Sequence, residues 1–187
     1  MTVGVLSFHG DFAEHLDVLQ SLKVKGVEIR SVDDLKNVSH LIIPGGESTV
    51  MIQFLVSTGV GPEIIRRVKD GSLAVYGTCA GSILIAKKAT GKNAPTTLGL
   101  IDIVVDRNAY GTQAQSFQVD LVVKGFEKAL PVSFIRAPVI TKNGKGVEVL
   151  AVHGGHPVLV RQGRILAGTF HPEVRGESAV HRLFLSM

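Results

Sequence analysis

The residue with the most chemistry to offer is Cys79, the only cysteine among 187 residues. It stands in Leu73-Ala-Val-Tyr-Gly-Thr-Cys79-Ala-Gly-Ser-Ile-Leu-Ile-Ala-Lys87, an apolar run that breaks on a glycine and resumes with a helical pattern. The stretch predicts strand, tight turn and helix, with the thiol at the turn. Gly77 and Gly81 flank it at i−2 and i+2, which is the cysteine form of a nucleophile elbow: glycines let the backbone fold sharply enough to hold the nucleophile at the carboxyl end of a strand. A thiol at a helix start also meets the positive end of the helix dipole, which favours thiolate. A lone cysteine in an apolar run is more ordinarily a small buried hydrophobe. A core cysteine, however, needs neither glycine.

A cysteine nucleophile needs a base and a group to orient that base. Thr169-Phe-His171-Pro-Glu173 supplies both types after the last strand pattern. In an extended segment residues i and i+2 project to one side, and Pro172 would hold the chain near extended. Glu173 could then accept from one nitrogen of His171 while the other faces the thiol, a triad in cysteine form. Taken alone, such a pair at a strand end reads as a surface turn; the elbow is what gives it a partner. Thiolate attack on a carbonyl also needs donors for the oxyanion. The N–H of Ala80 at the helix start is one candidate, and the Gly45-Gly46 loop the other, since bare backbone approaches a substrate closely. Pro44-Gly45-Gly46 reads equally well as an ordinary strand-to-helix turn.

Two arginines could meet a substrate, Arg107 in the polar loop Arg107-Asn-Ala-Tyr-Gly-Thr-Gln113 between strands and Arg136 at the strand end Ile135-Arg136-Ala-Pro138. Each is either a bidentate clamp for a substrate carboxylate or a solvated charge. His153-Gly-Gly-His156 resembles a ligand pair, but the cysteine is elsewhere and no carboxylate cluster adjoins, so no metal is expected.

The elements that must hold these residues follow from apolar spacing. Val3 to Phe8 is a nearly continuous apolar strand, and Phe12, Leu16, Leu19 and Leu22 follow at helical spacing. Strands are predicted at Val27–Ser31 and at His40–Ile43, with a short helical turn opened by Asp33 and Asp34 between them. Helices are predicted at Thr49–Ser57 and Pro62–Lys69, then comes the elbow strand. Continuous apolar strands alternating with helices belong to a mostly parallel sheet covered on both faces, an open, doubly wound α/β sheet of three layers. Such sheets bind ligands beyond the carboxyl ends of their strands, where both Pro44–Ser48 and Cys79 fall. The second half offers short strands at Leu100–Val105, Ser116–Val123, Val132–Ile135, Val147–Val152, Pro157–Arg161 and Arg164–Thr169, expected to add to that sheet in mixed or antiparallel fashion. Ser178–Met187 closes the chain as a short helix.

Composition sets the outer bounds. The length suits one domain, 1–187, and 45% apolar with 19% charged residues is ordinary globular usage. No apolar run approaches the roughly 20 residues needed to cross a bilayer, and the N-terminus lacks the basic region of a signal peptide. One cysteine forbids an internal disulfide and suits a reducing cytoplasm. The net charge of +4 is mild and its basic residues are scattered, without tryptophan, which argues against a nucleic-acid surface.

Taken together, Pro44-Gly-Gly-Glu-Ser-Thr49, Gly77-Thr-Cys-Ala-Gly81, Arg107-Asn-Ala-Tyr-Gly111, Phe134-Ile-Arg-Ala-Pro138 and Phe170-His-Pro-Glu173 resemble the glutaminase subunits of pyridoxal 5′-phosphate synthases. The elbow and His-Pro-Glu are general to class I glutamine amidotransferases, and the other segments mark this branch. The resemblance implies a flavodoxin-like amidotransferase fold and a Cys79, His171, Glu173 triad. Cys79 would attack the side-chain amide of glutamine, His171 would pass a proton to the leaving ammonia, and water would hydrolyse the glutamyl thioester. It further implies that Gly46, Glu47, Ser48, Arg107, Ile135 and Arg136 bind glutamine, that Gly46 and Ala80 serve the oxyanion, and that no cofactor is required. The implied partner is a separate (β/α)₈-barrel synthase subunit in a large hetero-oligomer. That subunit would take the ammonia together with a pentose and a triose phosphate, and the glutaminase would be nearly silent until it docks.

Three departures stand out. Phe8-His9-Gly10 replaces the usual Leu-Gln-Gly beside the oxyanion site, Thr112 stands where arginine is common, and Val174-Arg175-Gly176 replaces the usual Leu-Thr-acidic continuation. None removes a catalytic group. Two other readings compete: a glutaminase subunit for another acceptor, such as the imidazole glycerol phosphate synthase partner, and a non-catalytic cysteine-elbow binding protein. Arg107–Gly111 speaks against the first and the intact His-x-Glu pair against the second.

Overall fold

The computed structural model describes residues 1–107 and 116–187. Asn108, Tyr110, Gly111, Thr112 and Gln113 of the arginine-led loop therefore lie outside the described residues. In chain order the elements are β1 (Thr2–Leu6), α1 (Phe12–Ser21), β2 (Lys25–Ile29), α2 (Val32–Leu35), β3 (His40–Ile43), α3 (Ser48–Ser57), α4 (Val60–Lys69), β4 (Ala74–Thr78) and α5 (Ala80–Ile85). There follow β5 (Ala86–Thr90), β6 (Ile101–Asp106), β7 (Phe117–Leu121), β8 (Leu130–Phe134), β9 (Val139–Asn143), β10 (Glu148–His153), β11 (His156–Gln162), β12 (Ile165–Gly168), a 3₁₀ turn (Glu173–Arg175) and α6 (Ala179–Leu185).

Among the described residues the main sheet has seven strands in the order β10-β11-β12-β4-β3-β1-β2. The run from β12 to β2 is parallel, and the β10–β11 hairpin continues it antiparallel. The apolar strands explain why helices must cover both faces. Along β3, Leu41 and Ile43 join the core under α3, α4 and α5, whereas Ile42 joins the core under α1 and α6. Along β4, Val75 and Tyr76 divide in the same way, as a period of two requires. In β3 and β4 every residue is buried, so these strands read as continuous apolar runs and not as alternating ones.

Three sequence expectations need correction. The helix after the elbow does not reach Lys87: it ends at Ile85, because Ala86–Thr90 leaves helical geometry and pairs in parallel with β6. Of the second-half strands, β10, β11 and β12 join the main sheet. The β5-β6-β9 and β7-β8 groups form separate small sheets, packed on the first and second cores respectively. Strand β9, and β5 with its exposed lysines Lys87 and Lys88, carried no apolar run that would mark them as strands. Among the described residues, no single helix is long and apolar enough to cross a membrane.

Parallel register turns this order into a site. Thr78 on β4 pairs with Gly168 on β12, and Gly77 with Ile43 on β3, which in turn neighbours β1. The loops leaving the carboxyl ends of β12, β4, β3 and β1 therefore stand in a row. They carry His171, Cys79, Gly45-Gly46 and His9-Gly10-Asp11 in that order.

Candidate active site

The elbow is built as its glycines require. Cys79 sits at φ 45° and ψ −107°, outside the regions a side-chain-bearing residue adopts freely. Such a conformation costs about 1–3 kcal/mol and persists only where its surroundings impose it. Here the Cys79 N–H donates to the Gly168 carbonyl at 2.8 Å, and the Cys79 carbonyl accepts from the Ser82 N–H at 3.1 Å and hydroxyl at 2.6 Å. The turn is tight enough that a Cβ on Gly77 would lie 2.6 Å from the Gly81 carbonyl oxygen, and one on Gly81 would lie 1.9 Å from that of Ile43. Cys79 is buried, but it stands at a strained loop junction and belongs to neither core cluster. Its Sγ lies 3.8 Å from the Ile135 carbonyl. That carbonyl belongs to a bend in which the exposed Arg136 also takes a positive φ, 45°.

His171 is brought beside the elbow by β12 and by a two-way backbone bridge to Ser133 at the end of β8. Its Nδ1 is 2.7 Å from Glu173 Oε1, and both side chains are buried. The pair forms by a different route from the extended one expected. Pro172 adopts helical φ −73° and ψ −33°, and the 3₁₀ turn that follows brings Glu173 back under the imidazole. Burial opposes charge on His171, yet its pKa is pushed up to about 12, because hydrogen bonds with Asp11, the Cys79 sulfur and Glu173 outweigh burial. Burial raises Glu173, and the His171 hydrogen bond offsets part of that rise. With Nδ1 committed to carboxylate, Nε2 is left for the thiol, the division of labour a triad needs.

Sequence reasoning missed Asp11. Its Oδ2 lies 3.3 Å from the same His171 Nδ1, and contact with the imidazole lowers its pKa despite partial burial. The ligating atoms of Asp11, His171 and Glu173 fall within 4.8 Å of one another, and two acids sharing one imidazole nitrogen account for that closeness. Only the step Gly10-Asp11 after the first strand hinted at it. An expected consequence is that Asp11→Asn lowers the alkaline limb of the pH–activity profile by about one unit or less. Losing an acceptor from the imidazolium lowers the His171 pKa, and Asp11 is partly solvent-screened. A profile of kcat/KM carried past pH 11 to about pH 12 checks it, because the limb of the unmutated chain follows the His171 value of about 12.

The glycine loop packs on both partners. A Cβ on Gly45 would meet His171 Cε1 at 2.3 Å, one on Gly10 would meet the Gly45 carbonyl oxygen at 1.7 Å, and Gly46 takes φ 149° against His9. His9 Nδ1 accepts from the Glu47 N–H at 3.3 Å, so the histidine holds the loop next to Gly46. Glu47 caps α3, accepting from the Thr49 and Val50 N–H groups and the Thr49 hydroxyl. It also pairs with Arg107 at 2.9 Å. Ser48 is buried at the first position of α3, and Ala80 opens α5, where a first-turn N–H has no intrahelical partner. The structure thus gathers Gly46, Ala80, Ile135, Cys79, His171 and Glu173 directly. Arg107 joins through Glu47, and Arg136 lies at the rim. His153 and His156 face each other across the β10–β11 hairpin, and His153 stacks on Phe134 at 5.2 Å between ring centres.

The chain matches the SNO glutamine amidotransferase family over residues 5–187. It is 47% identical over 187 residues to a Pseudothermotoga lettingae protein named pyridoxal 5′-phosphate synthase subunit PdxT, covering 100% of this chain and 95% of that one. It is 46% identical over 185 residues to a Thermus thermophilus protein of the same name, covering 99% and 96%. Its fold superposes with a TM-score of 0.93 on a crystal structure described as a glutamine amidotransferase, at 46% identity, with 98% and 97% of the chains covered. A likeness of fold alone links it to the PurLQS structure from Thermotoga maritima, at a TM-score of 0.72 and 17% identity, with 99% and 97% covered.

Proposed function

The chain belongs to the SNO glutamine amidotransferase family, and from that premise we propose that residues 1–187 act as a single glutaminase domain, the ammonia-producing subunit of a pyridoxal 5′-phosphate synthase. The observation that carries the chemistry is the contact of His171 with Glu173 at 2.7 Å beside a cysteine held at positive φ.

In this reading the Cys79 sulfur attacks the side-chain amide carbon of glutamine, and the carbonyl oxygen gathers negative charge under the N–H groups of Ala80 and Gly46. Collapse of that intermediate breaks the C–N bond as His171 Nε2 gives its proton to the departing nitrogen, releasing ammonia and leaving a glutamyl thioester. Water, deprotonated by the same nitrogen, then cleaves the thioester to glutamate and restores the thiol. Glu173 keeps Nδ1–H fixed throughout. Glu47, Ser48, Arg107, Ile135 and Arg136 form the rim that holds glutamine, with the arginines suited to its α-carboxylate. The ammonia passes to a separate synthase subunit, which we take to be a (β/α)₈ barrel, and the single cysteine suits a cytoplasmic setting.

The test is glutamine hydrolysis by the purified chain with and without its synthase subunit. Slow release of glutamate alone, accelerated on adding the synthase, is expected. A rate that the synthase does not change, or no hydrolysis in either case, would count against the assignment.

A further inference from the structure

The reaction above needs one carboxylate to orient His171, yet two stand on the same ring nitrogen. Glu173 Oε1 is 2.7 Å from Nδ1 and Asp11 Oδ2 is 3.3 Å from it. Glu173 makes the shorter contact, in hydrogen-bond geometry, and Asp11 stands beside it as a second acceptor. Their surroundings differ. The Glu173 side chain is fully buried, whereas that of Asp11 is 38% exposed.

The placement of Asp11 has a local oddity. It is the N-cap residue of α1, but its side chain makes no cap hydrogen bond, although an aspartate there ordinarily accepts from an N–H of the first turn. Its carboxylate is turned to the imidazole instead. The main chain holds it in that attitude: the Asp11 N–H donates to the Gly45 carbonyl at 3.3 Å, and the Asp11 carbonyl accepts from the His15 N–H at 3.4 Å. The groups facing Asp11 are His171, His9 and Glu173, and those facing Glu173 are His171, Asp11, His15 and Tyr76. His15 is bonded to Thr78 and His181 and lies 3.7 Å from Glu173 Oε1, beyond hydrogen-bond distance. Among these groups Asp11 is the one carboxylate besides Glu173.

The two acids are also pushed apart in acidity. Burial raises Glu173, while contact with His171 lowers Asp11. As pH falls, Glu173 therefore takes up its proton first and Asp11 is still ionised, the pattern by which two neighbouring acids divide their roles. We propose that Asp11 is a second positioning residue for the glutaminase reaction, accepting the Nδ1–H of His171 whenever Glu173 carries a proton or is missing. The proposal rests on the amidotransferase reading of the site.

The test compares Asp11→Asn, Glu173→Ala and the double variant, each assayed with the synthase subunit present. Asp11→Asn alone is expected to lower kcat about 5-fold or less, because Glu173 holds the ring and Asp11 is partly screened. Glu173→Ala should cost about 10–100-fold, and the double variant about 10⁴-fold, the loss that follows when a triad has no orienting acid. KM should change little in all three, since neither acid lines the glutamine rim. A double loss equal to the product of the single losses, or a loss of about 10⁴-fold in Glu173→Ala alone, would overturn the proposal. Glu173→Gln, which keeps the buried volume without the charge, serves the same comparison if the alanine variant does not fold. Proton NMR of the full chain decides independently of activity. The low-field Nδ1–H of His171 should survive in the Glu173 variant and vanish in the double variant, and on acidification it should persist to lower pH in the unmutated chain than in Asp11→Asn. Its loss in the Glu173 variant alone, or at the same pH with and without Asp11, would overturn the proposal. Absence of glutamine hydrolysis by the unmutated complex would instead defeat the assignment of the reaction, leaving the NMR result to decide this one.

Discussion

Cys79→Ala is expected to remove glutamine hydrolysis, lowering kcat at least about 10⁴-fold with the synthase present, while the protein stays folded. The magnitude follows from what triad nucleophiles contribute in other hydrolases, where their loss leaves only the rate given by binding and oxyanion donors. The fold is spared because the sulfur's polar contacts, with His171 and at 3.8 Å with the Ile135 carbonyl, do not hold the turn in place. The main-chain bonds that impose the strained turn, to Gly168 and from Ser82, remain. A cost within about 1 kcal/mol corresponds to a shift of roughly 2–4 °C in Tm for a chain of this size. Glutamate release and a thermal melt on the same preparation check both halves. Near-normal turnover in the variant would defeat the assignment of the nucleophile.

Gly45→Ala should have the next largest effect, on the order of 10²–10³-fold in kcat/KM. The added methyl would lie 2.3 Å from His171 Cε1 and 2.8 Å from Asp11 Oδ2. Those are ends of side chains, so the imidazole swings away and the backbone holds. A displacement of about 1 Å in a catalytic group costs about 10²-fold, and here the ring also loses its alignment to Glu173. Gly81→Ala provides the contrast. Its methyl would strike the Ile43 main-chain carbonyl at 1.9 Å, which cannot rotate aside, so that variant should lose about 1–3 kcal/mol of stability along with activity. Assays paired with denaturant midpoints separate the two cases. Full activity in Gly45→Ala would mean that the loop does not set the position of His171.

Much of this was legible because parallel strands buried on both faces and a glycine-flanked cysteine leave strong local marks. The apolar runs of β1, β3 and β4 and the punctuation at Pro44 and Gly77 located the carboxyl-end loops. Two kinds of feature stayed hidden. Strands such as β5 and β9 draw their stability from pairing with β6 and not from their own composition, so no local pattern announced them. The turn at Pro172 departs from the extended form its sequence suggests, because proline fixes φ but leaves ψ to its surroundings.

Residue types and local spacing alone point to the proposed chemistry: one thiol on an elbow, a histidine with a glutamate two residues on, and a glycine loop at a strand end. Only the tertiary structure decided how these meet. The strand order β12-β4-β3-β1 sets His171, Cys79, Gly45 and Asp11 side by side, and packing of α1 and α6 against the sheet places His15 and His181 behind Glu173. The physical reason is that side-chain type is local, whereas which loops become neighbours is fixed by strand pairing between residues far apart in the chain, and no spacing within one segment encodes that pairing.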